Sequence, residues 1–120
     1  MANVLIADDD VALRRVFRLW LEEAGYAVEE ATNGMAALDR LARGGIDAVV
    51  LDVVMPGVDG IDVLRALRDS CHGVRIVAVS GGGMAMPAPV ALKLMQALGV
   101  EASLLKPVAR DELLHAIAGA

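Results

Sequence analysis

Val4-Leu5-Ile6-Ala7 is a short apolar run, rich in branched residues, that halts at Asp8, Asp9 and Asp10. Such a run has no polar side, so it predicts a strand buried on both faces. Beyond the aspartates, Leu13, Val16, Phe17, Trp20 and Ala24 recur at helical spacing. Arg14, Arg15, Arg18, Glu22 and Glu23 stand between them, which predicts an amphipathic helix with these charged residues set apart from the apolar stripe. Asp10 can cap its start and Gly25 its end. Tyr26 to Ala31 alternates weakly and predicts a second strand, and Asn33-Gly34 a turn. Ala37, Leu38 and Leu41 predict a short helix that closes at Gly44-Gly45.

The pattern then repeats. Ala48-Val49-Val50-Leu51 predicts a third buried strand, ending at Asp52. Ile61, Leu64 and Leu67 mark a helix, and Val74 to Val79 a fourth strand ending at Ser80. A Gly- and Pro-rich segment follows, then Val90, Leu94 and Leu98 at helical spacing, closed by Gly99. Ala102 to Leu105 predicts a fifth strand, ending at Lys106-Pro107, and Leu113, Leu114 and Ile117 a fifth helix. Strand and helix alternating five times predicts a single α/β domain over residues 1–120, a parallel sheet with helices on both faces.

Composition narrows this picture. The 120 residues are 57% hydrophobic but only 2% aromatic, which suits aliphatic layers of helix on sheet. A net charge of −5 gives no overall field to attract nucleic acid. One cysteine, Cys71, excludes an internal disulfide. The longest uncharged stretch, Ile76 to Leu92, is broken by Gly81, Gly82, Gly83, Pro87 and Pro89, a poor membrane span. The aspartates arrive too early for a signal peptide, so the expectation is a cytoplasmic, soluble domain.

The candidate chemistry lies where the strands stop. In an open parallel sheet, ligands bind at the carboxyl ends of the strands. Strand one ends in Asp8-Asp9, strand three in Asp52, strand four in Ser80 and strand five in Lys106. All then share one edge: three carboxylates, one hydroxyl and one ammonium. Two carboxylates ~4 Å apart repel by roughly 4 kcal/mol at an effective dielectric near 20. Lys106 offsets part of this, and a divalent ion offsets more. Oxygen-only ligands select a hard ion such as Mg²⁺. Such an ion, a carboxylate nucleophile and an ammonium together describe phosphoryl transfer.

The motifs VLIADDD, LDVVMPGVDG, VAVSG and LLKP, in this order and spacing, resemble the response-regulator receiver-domain (CheY-like) family across essentially the whole chain. The resemblance implies a flavodoxin-like sheet of order 2-1-3-4-5 with five helices. It implies a phosphoacceptor switch of a two-component system, in which Asp52 takes a phosphoryl group from a histidine kinase or histidine phosphotransfer protein. Asp8, Asp9, Asp52 and the backbone carbonyl of Val54 would hold Mg²⁺. Lys106 would pair with Asp52 and then with the phosphoryl oxygens, and Ser80 would hydrogen-bond the phosphoryl group. Val54 and Gly81 would add backbone contacts to it. The Lys106-Pro107 bond would be cis. A downstream protein would read the face of helix four, strand five and helix five. Membranes and nucleic acid would not be partners, and catalysis would be limited to the domain's own phosphorylation and slow dephosphorylation.

Two positions depart from the family. Its strand-five aromatic is replaced by Ser103, and the segment opening with Gly81-Gly82-Gly83 is long. Phosphorylation is therefore expected to order residues 81–89 in place of an aromatic rotation. Val54 and Gly82, which cannot orient an attacking water by side chain, predict slow dephosphorylation.

Other readings fit less well. An aspartate-nucleophile phosphohydrolase needs a second acid two residues after the nucleophile, where Val54 stands. A flavin binder would meet acidic strand ends and few aromatics, and a degenerate receiver would not need the intact acid, hydroxyl and lysine set. Asp10 reads as a cap, and Gly81-Gly82-Gly83 as a loop without a nucleotide-binding pattern. Met35, Met55, Met84, Met86 and Met95 read as core or loop fillers, His72 and His115 as surface residues, and Cys71 as an inert thiol. The expectation is a free-standing domain, with a piece of a larger protein as the alternative.

Overall fold

The computed structural model describes residues 2–52, 62–66, 73–81, 90, 93, 96–97 and 99–119. Its strands are β1 (Asn3–Ala7), β2 (Ala27–Ala31), β3 (Ala48–Asp52), β4 (Arg75–Ser80) and β5 (Ala102–Leu105). Its helices are α1 (Val11–Glu23), α2 (Gly34–Ala42), α3 (62–66), α4 (helical at positions 90, 93, 96 and 97) and α5 (Arg110–Ala118).

All strand pairs are parallel, in the order β2-β1-β3-β4-β5. Alternation along each strand divides the apolar residues between two layers. Leu5, Ala7, Val49, Leu51, Ile76 and Ala78 face a cluster that includes Ala37 and Leu41 of α2 and Val63 and Leu64 of α3. Val4, Ile6, Val50, Val77 and Val79 face Phe17 and Leu21 of α1 and Leu113, Ala116 and Ile117 of α5. Both faces are covered, which is why these strands are apolar throughout.

The predicted caps are in place. The Asp10 carboxylate accepts from the Leu13 amide at 3.1 Å, and Gly25 follows α1 at φ 98°. That positive φ suits glycine.

The spacing placed Arg14 among the polar positions of α1 and Val16 among the apolar ones. The residues buried on α1 are Arg14, Phe17 and Leu21, spaced i, i+3, i+7, while Val16 is 40% exposed. Arg14 tolerates burial because both ends of its guanidinium have partners, described below.

Candidate functional site

Strand order reverses between β1 and β3, so their carboxyl ends flank the crevice where open α/β sheets bind ligands. The register fixes what meets there. Ala7 lies beside Leu51, so Asp8, one residue on, reaches the level of Asp52. Asp52 pairs with Val79 and Ser80 with Leu105, which brings Ser80 and Lys106 to the same edge. The Lys106 amide donates to the Ser80 carbonyl at 2.9 Å, extending the β4–β5 ladder by one bond.

Asp8 and Asp52 are buried, at 2% and 5% exposure, and Ser80 is fully buried. Asp9 is exposed. One carboxylate oxygen from each of Asp8, Asp9 and Asp52 lies within 4.8 Å of the others. Oxygens gathered this closely can converge on one cation, and an all-oxygen donor set suits a hard divalent ion. Asp8, Asp9 and Asp52 therefore fit such an ion by both spacing and donor chemistry.

The Lys106 ammonium stands 3.2 Å from Asp8 Oδ2 and 3.5 Å from Asp52 Oδ2. Burial is the largest single influence on this lysine and favours its neutral form. The charges of Asp52 and Asp8, with hydrogen bonds to both, outweigh it and leave the pKa above the ordinary lysine value. Lys106 is thus an ammonium at neutral pH. Its stem runs over Gly81, where an added Cβ would lie 3.0 Å from Lys106 Cδ. The Lys106-Pro107 bond is cis, as the family resemblance implied.

Asp8 Oδ1 accepts from the Asp10 amide at 2.9 Å, so the acidic loop is tied to itself as well as to Lys106. The Asp8 carbonyl accepts from Arg14 Nη1 at 2.7 Å. Arg14 was missed from the sequence. Its signal was its position three residues before Phe17 and seven before Leu21, on the stripe that faces the sheet.

Asp8, Asp9, Asp52, Ser80, Gly81 and Lys106 thus lie at one edge of the sheet. Val54 lies outside the described residues, as do 82–89, Cys71, His72, Met55, Met84, Met86 and Met95. His115 is exposed on α5, and Met35 is exposed near the start of α2 rather than filling a core position. At Ser103, in place of the aromatic, the hydroxyl accepts from Gln96 Nε2 of α4 at 2.9 Å. Among the described residues, no helix is long and apolar enough to cross a membrane.

Known proteins resemble this chain in sequence and in fold. Response regulator MprA of Mycobacterium sp. (strain KMS) is 39% identical over 112 residues, covering 93% of this chain and 47% of that protein. The CAI-1 autoinducer sensor kinase/phosphatase CqsS of Vibrio cholerae is 32% identical over 119 residues, covering 97% of this chain but 17% of that protein. The chain therefore spans about half, or less, of the length of these curated relatives. A receiver-domain protein from Clostridium thermocellum superposes with a TM-score of 0.90 at 26% identity, covering 99% of this chain and 93% of that one. Chemotaxis protein CheY4 of Vibrio cholerae gives 0.85 at 27% identity, covering 99% and 98%. The family model described as the response regulator receiver domain matches residues 4–118, and on that match the chain belongs to the response-regulator receiver-domain family.

Proposed function

We propose that this domain is a Mg²⁺-dependent phosphoacceptor switch, with Asp52 as the acceptor and a phosphohistidine of a sensor kinase or phosphotransfer protein as the donor. The observation that carries the reading is the contact of one ammonium with two buried carboxylates, Asp8 and Asp52, inside a three-carboxylate cluster. Two buried anions this close are costly without cations, so the site is arranged to receive positive charge and then a charged group.

A divalent ion held by Asp8, Asp9, Asp52 and the Val54 carbonyl would neutralise the oxygens of the transferring phosphoryl group. Asp52 would supply the attacking oxygen, forming the O–P bond as the donor's N–P bond breaks. The electron pair returns to the donor imidazole, which takes a proton. Lys106 would exchange part of its contact with Asp52 for the phosphoryl oxygens. Ser80 and the backbone at Gly81 and Val54 would complete its hydrogen bonds.

The domain would act on no other substrate, and it would hold the phosphoryl group long enough to alter partner binding at the face of α4, β5 and α5. In this reading residues 1–120 form one receiver domain that works in the cytoplasm. The test is incubation with acetyl phosphate and MgCl₂, followed by intact-mass measurement. The expected result is one added phosphoryl group, lost in Asp52→Asn and when Mg²⁺ is chelated. Equal phosphorylation of Asp52→Asn overturns the assignment.

A further inference from the structure

Among the described residues the buried polar or charged side chains are Asp8, Arg14, Asp52 and Ser80. Three of them belong to the candidate site. Arg14 belongs to a helix, and its burial at 7% exposure requires compensation.

That compensation runs toward the acidic loop. Long helical side chains lean back toward the helix start, and Arg14 reaches over the first turn of α1 to the segment before it. Its Nη1 donates to the Asp8 carbonyl at 2.7 Å, and its Nε to Glu30 Oε1 at 3.0 Å. The second oxygen of Glu30 takes Arg18 Nη1 at 2.8 Å. Glu30 thus anchors the guanidinium and cancels much of its charge.

Asp8 is held at every polar atom. Its amide donates to the Ala31 carbonyl at 3.3 Å, and its two carboxylate oxygens meet the Asp10 amide and Lys106. Its carbonyl, held by Arg14, belongs to the peptide that joins Asp8 to Asp9. Peptide units are planar, so fixing that carbonyl fixes the direction in which the chain enters Asp9. Asp9 is exposed, so packing does little to orient it. A charge-assisted hydrogen bond is strong enough for this task.

We propose that Arg14 is a positioning residue for the divalent-cation site, acting through the Asp8–Asp9 peptide and braced by Glu30. This rests on the metal-binding reading given above. It makes a prediction opposite in sign to simple electrostatics. Removing a positive charge close to an acidic cluster should tighten cation binding. Removing Arg14 should weaken it.

The test is calorimetric titration of MgCl₂ into the unphosphorylated protein at constant ionic strength, with thermal unfolding recorded for each variant. Arg14→Met is expected to bind Mg²⁺ about tenfold more weakly, the size of effect typical of residues that orient metal ligands. Arg15→Met, which removes the same charge from the neighbouring exposed position, is expected to bind at least as tightly as the parent. If Arg14→Met does not fold, Arg14→Lys carries the test. It keeps the charge but not the planar two-pronged donor, and a loss of about threefold is expected. Unchanged or tighter binding in the folded Arg14 variants, beside normal binding by the parent, overturns this inference alone. An equal loss in Arg15→Met also overturns it. A parent protein that binds no Mg²⁺ overturns both the inference and the metal site on which it rests.

Discussion

Lys106 stands closer to Asp8 than to Asp52: its ammonium is 3.2 Å from the first and 3.5 Å from the second. The ammonium therefore bridges the strand that starts the fold and the strand that carries the expected acceptor. It occupies space and charge that a divalent ion also seeks. Lys106→Met should raise Mg²⁺ affinity, by about tenfold. That is a conservative share of the ~4 kcal/mol that unit charges 4 Å apart exchange at an effective dielectric near 20. The same variant should accept phosphoryl groups more slowly, because the transferring oxygens lose a cation. Calorimetry and time-resolved mass measurement read the two effects separately. Weaker Mg²⁺ binding in the variant would contradict the competition.

The acidic cluster should also weaken the metal-free fold. Asp52 is 5% exposed and shares Lys106 with Asp8, so one ammonium serves two buried anions. Asp52→Asn keeps the shape and removes one charge. In a chelating buffer it should raise stability by about 1 kcal/mol, the usual direction when a functional charge is removed. Mg²⁺ should narrow the gap by stabilising the parent more than the variant. A lower unfolding midpoint for Asp52→Asn in chelator would show that Asp52 is already fully compensated.

The strand ends were legible because each apolar run stops at a polar residue, and a parallel sheet collects such stops on one edge. Asp8, Asp52, Ser80 and Lys106 were found this way. Arg14 was not, because its partners lie in other elements: Glu30 on β2 and the carbonyl of Asp8. Counting positions along a helix sorts residues by type, so an arginine on the inner stripe is assigned to water and Val16 to the core. A buried ion pair is visible only once the strands are placed. The preference of Lys106 for Asp8 was hidden for the same reason, since it depends on the register of β1 against β3 and β4 against β5.

The paired glutamates give the protein an acid-side dependence with a defined sign. Hydrogen bonding from Arg18, then from Arg14, holds Glu30 below the ordinary glutamate value despite the opposing effect of burial. A hydrogen bond from Arg40 does the same for Glu29. A depressed folded pKa contributes stability that is present above the unfolded value of about 4.5 and lost as pH falls through the folded value. The parent should therefore exceed Glu30→Gln in stability at pH 7, and the difference should shrink below about pH 4.5. Urea unfolding at a series of pH values reads this. A difference that grows on acidification would reverse the sign and refute the pairing.

Gly81 should be sensitive to size. A Cβ there would lie 3.0 Å from Lys106 Cδ, closer than carbon atoms normally pack. In Gly81→Ala the lysine stem must give way by a few tenths of an ångström, and its ammonium shifts against Asp8 and Asp52. Phosphorylation from acetyl phosphate should slow by about twofold to fivefold, roughly the cost of 0.5–1 kcal/mol. Gly81→Val should slow it further. Equal rates in all three proteins would show that the stem moves without disturbing its head.

One hydrogen bond joins β5 to α4 at the position where the family has an aromatic. Ser103 pairs with Ala78 in the β4–β5 register, two residues before the pair formed by Ser80 and Leu105. Its hydroxyl accepts from Gln96 Nε2 at 2.9 Å, so a direct bond runs from β5, close to Ser80, to α4. An aromatic at this position would bridge the same elements by bulk, whereas a hydroxyl bridges them by one directional bond. A neutral bond of this kind contributes about 0.5–1.5 kcal/mol, and less where water competes. A double-mutant cycle with Gln96→Ala and Ser103→Ala, read by urea unfolding, should therefore give a coupling of about 0.5 kcal/mol. If Ser80 shifts on phosphorylation, β5 carries the shift to Ser103 and the bond to Gln96 is remade. The same cycle with the phosphoryl mimic beryllofluoride bound should then give a different coupling. A coupling of zero in both states would mean that Ser103 merely fills the place of the aromatic. The signal would then have to leave β4 by a route that does not pass through Gln96.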